Sequence, residues 1–383
     1  MKITGYRTLT AQHHWRRAIG DVNGHIVEAV TEVPIVIVET DAGIEGVGIG
    51  SHADLDRLFP AIEGEDPRGV AALFDRMLAQ VFKSGHAGAT YGGVASLDAA
   101  IWDLKAKAAG EPLWRLLGGR DRFVPAYASG LDIALDDEEL ATLYAEYAER
   151  GFVAGKLKGG LDFDADVRRL GILADALAAN TGRPGLMLDA NESWQVKQAV
   201  RYVSALEEHV DLIWVEEPLR RWDAVGHARL STAIRAAVAT GENLTGVDQF
   251  RSLFEAGAPD VVQAGAVWGV SHMQRLAFAS AARDLPISPV GYNANPAVAH
   301  VMTAVPNHLT TELQAFDFAD GVLVDHEFVD GGIVLGDEPG SGISIDEVAI
   351  EGARRGDGWA NPAGPHMRPV RAGLRVVLDG VER

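Results

Sequence analysis

The run Leu212-Ile213-Trp214-Val215-Glu216-Glu217-Pro218 decides how this chain reads: an apolar strand that ends in two carboxylates and a proline. Carboxylates at the end of a buried strand cost desolvation energy unless something cationic meets them, and a metal is the expected partner. Similar stretches flank it at about 26 residues each way, Gly185-Leu186-Met187-Leu188 running into Asp189-Ala190-Asn191, and Ala236 to Gly241 running into Glu242. That interval suits one strand plus one helix of an eight-fold barrel, so three strands would deliver an acid to one rim.

Working outward, short β runs alternate with amphipathic stretches. They are Phe123 to Gly130, Phe152 to Lys158, Gly185 to Asp189, Leu212 to Glu216, Ala236 to Glu242, Val261 to Gly265, Ile287 to Gly291 and Leu309 to Gln314. Eight such units imply a closed parallel sheet. Before them, Pro34 to Thr40 and Ile44 to Gly50 read as a hairpin turning at Asp41-Ala42-Gly43. A helical pattern follows, with Ser96 as N-cap, Leu97, Ile101 and Leu104 on one face, and Gly118-Gly119 as the stop. Gly46, Gly48 and Gly50 do not read as a phosphate loop, because no helix opens directly after them. The expected organisation is an α+β domain over 1–122, the barrel over 123–329, and a segment over 330–383 that returns to the first domain, with β pieces near Ile343 to Ile345 and Val370 to Leu378.

Bulk properties narrow the function. With 383 residues and 47% hydrophobic composition the chain can bury a large core, and its 43 Gly and 16 Pro are scattered rather than clustered. A formal net charge of −20 argues against nucleic acid or an anionic membrane as partner, since both select clustered Lys and Arg. No cysteine is present, which excludes disulfides, thiolate nucleophiles and Cys-based zinc sites. Met1 to Tyr6 lacks a signal-like apolar stretch and no apolar run reaches the ~18 residues of a membrane span, so a cytoplasmic location is expected.

Asp189, Glu216 and Glu242 form a hard, all-oxygen donor set that suits Mg²⁺. Taken singly each acid reads better as a helix cap or surface charge; the even spacing at strand ends favours the joint reading. In Gly155-Lys156-Leu157-Lys158-Gly159-Gly160 the two lysines share a strand face, where two ammonium groups lower each other's pKa and make a general base available.

Lys156/Lys158, Asp189/Asn191, Glu216-Glu217-Pro218 and Gly241-Glu242, in that order and spacing, resemble the mandelate racemase and muconate lactonizing enzyme branch of the enolase superfamily. The stretch SLDAAIWDLKAKAAGEPLWRLLGG is similar to that family's capping domain, so the likeness covers nearly the whole chain. It implies an α/β fold, a (β/α)₇β TIM-like barrel under an N-terminal α+β capping domain, with Mg²⁺ held by Asp189, Glu216 and Glu242. It also implies Lys158 as the base that removes a proton alpha to a carboxylate, Lys156 as the group that binds that carboxylate, and Asn191 on a substrate hydroxyl. Glu312 is expected to face the substrate from the last strand, and Glu217 to point to the opposite side of its strand from Glu216.

The racemase-like members pair a seventh-strand His with a sixth-strand Asp; here Gly265 and Val290 stand at those places, and no Lys occurs after Lys197 to substitute. A one-sided reaction remains, with Lys158 or another group supplying the acid; Tyr292, His13 and His14 are candidates, against plain readings as a packed aromatic and two exposed polar residues. His272 and His300 read as core or surface. The expected function is a Mg²⁺-dependent dehydratase of a sugar acid that eliminates water through a metal-stabilised enediolate. The alternatives are a cycloisomerase acting on a lactone or a racemase or epimerase of the same family, and a non-catalytic homologue that binds metal and ligand. The expected partners are a small carboxylate and further copies of the chain.

Overall fold

The computed structural model describes residues 1–353. The β piece expected near Val370 to Leu378 lies outside the described residues. Eight strands, Phe123–Ser129, Ala154–Lys158, Gly185–Asp189, Leu212–Glu216, Ala237–Thr240, Val261–Gly265, Ile287–Val290 and Thr311–Leu313, run in chain order around a parallel barrel. The eighth pairs with the first through Thr311↔Ala126 and Leu313↔Ala128, and a bridge between Ile287 and His308 joins the seventh to the eighth. Each boundary lies within two residues of the expected strand, because apolar, two-sided burial makes these runs stand out from the amphipathic helices between them.

The capping domain opens with a strand the sequence did not announce. Ile3–His14 pairs antiparallel with Val30–Thr40, which pairs with Glu45–Ile49 to complete the hairpin. Its exposed-side polar residues are used structurally: Arg7 meets Glu39, Glu45 and Glu347.

The helix Gly88–Ala109 is buried on nearly every side, which is why its composition is small and apolar all round rather than striped. Two expectations about it are corrected. Ser96 is not an N-cap but lies mid-helix, donating its Oγ to Gly92 O and accepting from Ser51 N at 2.6 Å. The helix stops at Gly110 (φ 68°), eight residues before Gly118, because Gly110 takes the left-handed cap conformation.

Gly46 and Gly48 have a packing role. A Cβ at Gly48 would collide with Ser96 O and one at Gly46 with Ala100 O, so the bare backbone lets the sheet lie directly on this helix. Gly48→Ala is expected to lower unfolding free energy by about 1–3 kcal/mol, read as a reduced urea midpoint with an unchanged slope.

After the eighth strand the chain does more than return to the cap. Gly332–Val334 adds antiparallel to the first barrel strand at Phe123 to Pro125, and Ile343–Ile345 pairs with Val322–Val324. Between them, Ser341 N donates to the buried Asp103 of the capping helix and Gly340 N to Glu111 O, tying cap to barrel.

Candidate active site

Alternation along the barrel strands aims Lys156, Lys158, Asp189, Glu216, Gln263, Ser288 and Glu312 inward. Below them Tyr127, Met187 and Trp214 fill the barrel as a packed layer. The inner polar groups meet. Lys156 Nζ contacts Glu216 Oε1, lies 2.8 Å from Glu312 Oε1 and 3.4 Å from Asp189 Oδ2, while Lys158 Nζ lies 2.5 Å from Asp189 Oδ2. Glu216 is further fixed by Gln263 Nε2 at 2.6 Å and Trp214 Nε1 at 3.1 Å.

The strands bearing Asp189 and Glu216 run into left-handed backbone. Asn191 (φ 43°), Glu192 (φ 60°) and Glu217 (φ 40°) adopt it without being glycine, at a typical cost of about 1–3 kcal/mol each. Such conformations persist where the surroundings hold them, and here they aim the strand ends into the mouth. The turn at Glu217 corrects the expectation that it faces away: Asn243 Nδ2 bridges Glu217 Oε1 at 3.0 Å and Glu242 Oε1 at 3.1 Å, drawing both into one acidic group. Alternation fails because the strand has already ended at Glu216.

Electrostatics identify the missing partner. Burial pushes Glu216 up to about 8 and Glu242 up to about 7, and it pushes Glu217 well above the carboxylate range, with Glu242 and Asp189 adding repulsion. Asp189 goes the other way, to about 2, because Lys158 and Lys156 outweigh its burial. With Glu217 protonated, a cation that displaced the protons of Glu216 and Glu242 would leave four carboxylates (Asp189, Glu216, Glu242 and Glu312) against two ammonium groups, a surplus that one divalent cation matches. The oxygen-only donors fit Mg²⁺. Among the described residues no three acidic or His side chains converge as a finished metal cage, since the lysines hold Asp189 and Glu216 where a cation would.

The expected mutual depression of the lysine pKa values is corrected too. Burial lowers both, and Lys156 lowers Lys158, yet the nearby carboxylates win. Glu216 and Glu312 hold Lys156 well above its usual value, and Asp189 raises Lys158. Three carboxylates, Asp189, Glu216 and Glu312, lie within 3.4 Å of the two ammonium groups. A free base at Lys158 therefore requires that Asp189 be given another cation.

Sequence reading missed a layer behind the lysine strand. Buried Asp132 accepts Lys158 N at Oδ1 (3.0 Å) and Tyr144 OH at Oδ2 (2.9 Å). Tyr144 OH also reaches Lys156 O at 2.5 Å, and Arg169 Nη2 donates to Asp132 O. Only the folded loop brings Asp132 there. Asp132→Ala, which leaves a buried N–H unpaired, is expected to cost about 1–3 kcal/mol of stability and to lower kcat with little change in KM, whereas Asp132→Asn keeps the acceptor and rescues most of both.

The remaining candidates sort as follows. Asn191 N donates to Asp189 Oδ1 at 2.9 Å, placing it at the cluster. Glu312 joins it through Lys156 and accepts Gly291 N at 2.7 Å. Tyr292, a candidate for the acid, is not among the lysine–carboxylate contacts: its hydroxyl meets His326 Nδ1 at 2.6 Å among Phe318 and Phe328. His13 is buried rather than exposed, paired with Asp317 at 3.1 Å beyond the eighth strand and stacked against Trp15, and His14 pairs with Asp320. His272 and His300 are core residues bonded to Tyr91 and to Trp114 N. The hairpin Ile19–Asp21/Gly24–Ile26 lies over the mouth, with Gly20 N on Leu131 O and Asn23 on Asn191 O. A groove of 680 Å³ lined by Trp15, Arg17, Leu135, Tyr147 and Phe316 runs beside the mouth and contains none of the lysine–carboxylate cluster, which its own ion pairs fill.

The missing dyad is visible as geometry. Gly265 and Val290 are direct partners in the ladder of the sixth and seventh strands, and neither carries a proton.

Residues 23–118 match the family described as mandelate racemase / muconate lactonizing enzyme, N-terminal domain, and residues 139–349 match the enolase C-terminal domain-like family. A 3,6-anhydro-alpha-L-galactonate cycloisomerase of Streptomyces coelicolor is 31% identical over 307 residues, covering 79% of this chain and 82% of that one. An L-talarate/galactarate dehydratase of Salmonella typhimurium is 31% identical over 336 residues, covering 84% and 82%. A racemase from Streptomyces coelicolor A3(2), solved with bound magnesium, shares the fold at a TM-score of 0.81 and 26% identity, over 91% of this chain and 99% of that one. No helix among the described residues is long and apolar enough to cross a membrane.

Proposed function

Because this chain belongs to the mandelate racemase / muconate lactonizing enzyme branch of the enolase superfamily, we propose that it is a Mg²⁺-dependent dehydratase of a sugar acid. The observation that carries the reading is the pairing of two buried lysines with Asp189, Glu216 and Glu312 at the strand ends of a barrel whose sixth and seventh strands end in Gly265 and Val290. Relatives that are dehydratases or cycloisomerases of sugar acids, and a neighbour solved with magnesium, support it.

Asp189, Glu216 and Glu242 would hold the ion. When bound, it supplies a fixed positive charge for the substrate carboxylate, whose alpha proton is otherwise too weakly acidic for a lysine. Lys156, tied to Glu312 and Glu216, presents a second cation to that carboxylate. Lys158, once Asp189 is otherwise neutralised, takes the alpha proton. The electron pair left at the alpha carbon forms the double bond as the β-hydroxyl departs with a proton returned by Lys158, and the enol tautomerises to a 2-keto-3-deoxy acid. The cap hairpin over the mouth limits water.

A second reading, a cycloisomerase, is favoured by the Gly265–Val290 pair, since ring opening by elimination needs one base only. Incubation of the protein with Mg²⁺ and a panel of sugar acids and lactones, followed by mass and NMR, decides between them. A product lighter by one water supports the dehydratase and an isomer of equal mass the cycloisomerase. No reaction and no alpha-deuterium uptake with any acid in D₂O would leave a binding homologue.

A further inference from the structure

In an eight-stranded barrel the second and sixth strands face each other across the mouth. The lysines stand on the second strand, Gly265 ends the sixth, and Val290 ends the seventh beside it. Gly291 N, one residue on, donates to Glu312, the carboxylate that holds Lys156, so these strand ends border the same site.

The space where a side chain at 265 would project is filled. A Cβ there would lie 2.7 Å from Glu242 O and 2.9 Å from the Nε1 of Trp268. The half-buried indole is held in place: Nε1 donates to Glu242 O at 2.6 Å, and Tyr91 of the long capping helix stands edge-on at 6.1 Å. Gly269, the next residue, sits against Ala95 of that helix. The Glu242 carbonyl and the indole together leave no room for a side chain at 265, so the position accepts no acid.

We propose that Trp268, seated over Gly265 and flanked by Val290, is the substrate-facing wall opposite Lys156 and Lys158. The inference rests on the sugar-acid reading above and goes beyond it. An aromatic wall on that side packs against carbon-bound hydrogens and can neither take nor give a proton. Proton transfer at the alpha carbon is then confined to the lysine face. Because only one configuration at C-2 directs its alpha hydrogen to Lys158, the wall makes the enzyme selective for a single C-2 epimer and prevents epimerisation.

The test uses two pairs of C-2 epimers, D-galactonate with D-talonate and D-gluconate with D-mannonate, each incubated in D₂O with the Mg²⁺-loaded full chain. The wild type is expected to exchange or convert one member of a pair with a preference of about 100-fold in kcat/KM, and to return unreacted acid without inversion. Trp268→Phe keeps that preference. Trp268→Ala is expected to lower it to roughly tenfold or less. A variant that merely loosens the cap–barrel contact would lower both epimers' rates together and leave their ratio unchanged, which overturns the proposal. So does a wild type that uses both epimers equally. Absence of alpha exchange with all four acids overturns the sugar-acid reading itself, and the wall assignment with it, by a different signature.

Discussion

Lys158→Ala is expected to lower kcat on the order of 10²–10⁴-fold, the usual contribution of a positioned general base. Its partner in the metal-free protein is Asp189, at 2.5 Å, so the substitution also frees a carboxylate that burial and charge have fitted for a cation. Mg²⁺ binding in the variant should therefore be retained or tightened, as measured by calorimetry. Loss of activity together with loss of metal would mean that Lys158 serves the fold; loss of activity with metal intact assigns it the proton. Lys156→Ala behaves differently. It leaves Glu216 and Glu312 with an uncompensated buried charge, a change that typically costs about 3–5 kcal/mol, so the protein should be less stable as well as inactive.

The second large effect is the dependence on Mg²⁺ and its coupling to pH. Chelation by EDTA is expected to abolish turnover, and Glu216→Gln to do so irreversibly. Glu216 and Glu242, raised to about 8 and about 7, hold protons in the metal-free protein that they would not hold unfolded, where their ordinary value is 4.5. Between those limits the folded state binds more protons than the unfolded one, so metal-free stability falls as pH rises from about 5 towards 8. Mg²⁺ must displace the same protons, so its affinity rises across pH 6 to 9 and levels off once both acids are ionised. The thermal shift on adding Mg²⁺ should therefore be larger at pH 8.5 than at pH 6; at a hundredfold excess over Kd the stabilisation is about 2.7 kcal/mol. A thermal shift that shrinks with rising pH would contradict the metal assignment to these carboxylates.

The barrel was legible because its strands are short, apolar and evenly spaced, and Asp189, Glu216 and Glu242 fall at or just past the ends of their strands. The first strand, Ile3–His14, was not, because its polar side is satisfied by distant charges such as Glu347, which no local pattern reports. At the site, Lys156, Lys158, Asp189, Glu216 and Glu312 come together as their strand positions implied. Glu217 did not follow the strand period because its backbone is left-handed. Tyr292 follows the strand end as expected, but its hydroxyl leads to His326 and away from the lysines. The lysine charge states could not be read at all, since they depend on which of several carboxylates stand nearest. Asp132 and Trp268 act through contacts that only the closed barrel creates, although the glycine at 265 was a signal that something fills that space.

The account stands on one cation among Asp189, Glu216 and Glu242, freeing the lysines for chemistry. Anomalous diffraction from crystals grown with Mn²⁺ in place of Mg²⁺ tests this most directly. The predicted result is a single strong peak ligated by those three carboxylates, with the Nζ of Lys158 no longer at 2.5 Å from Asp189. A peak at other residues, or no peak with both lysines still locked on Asp189 and Glu216, would contradict it.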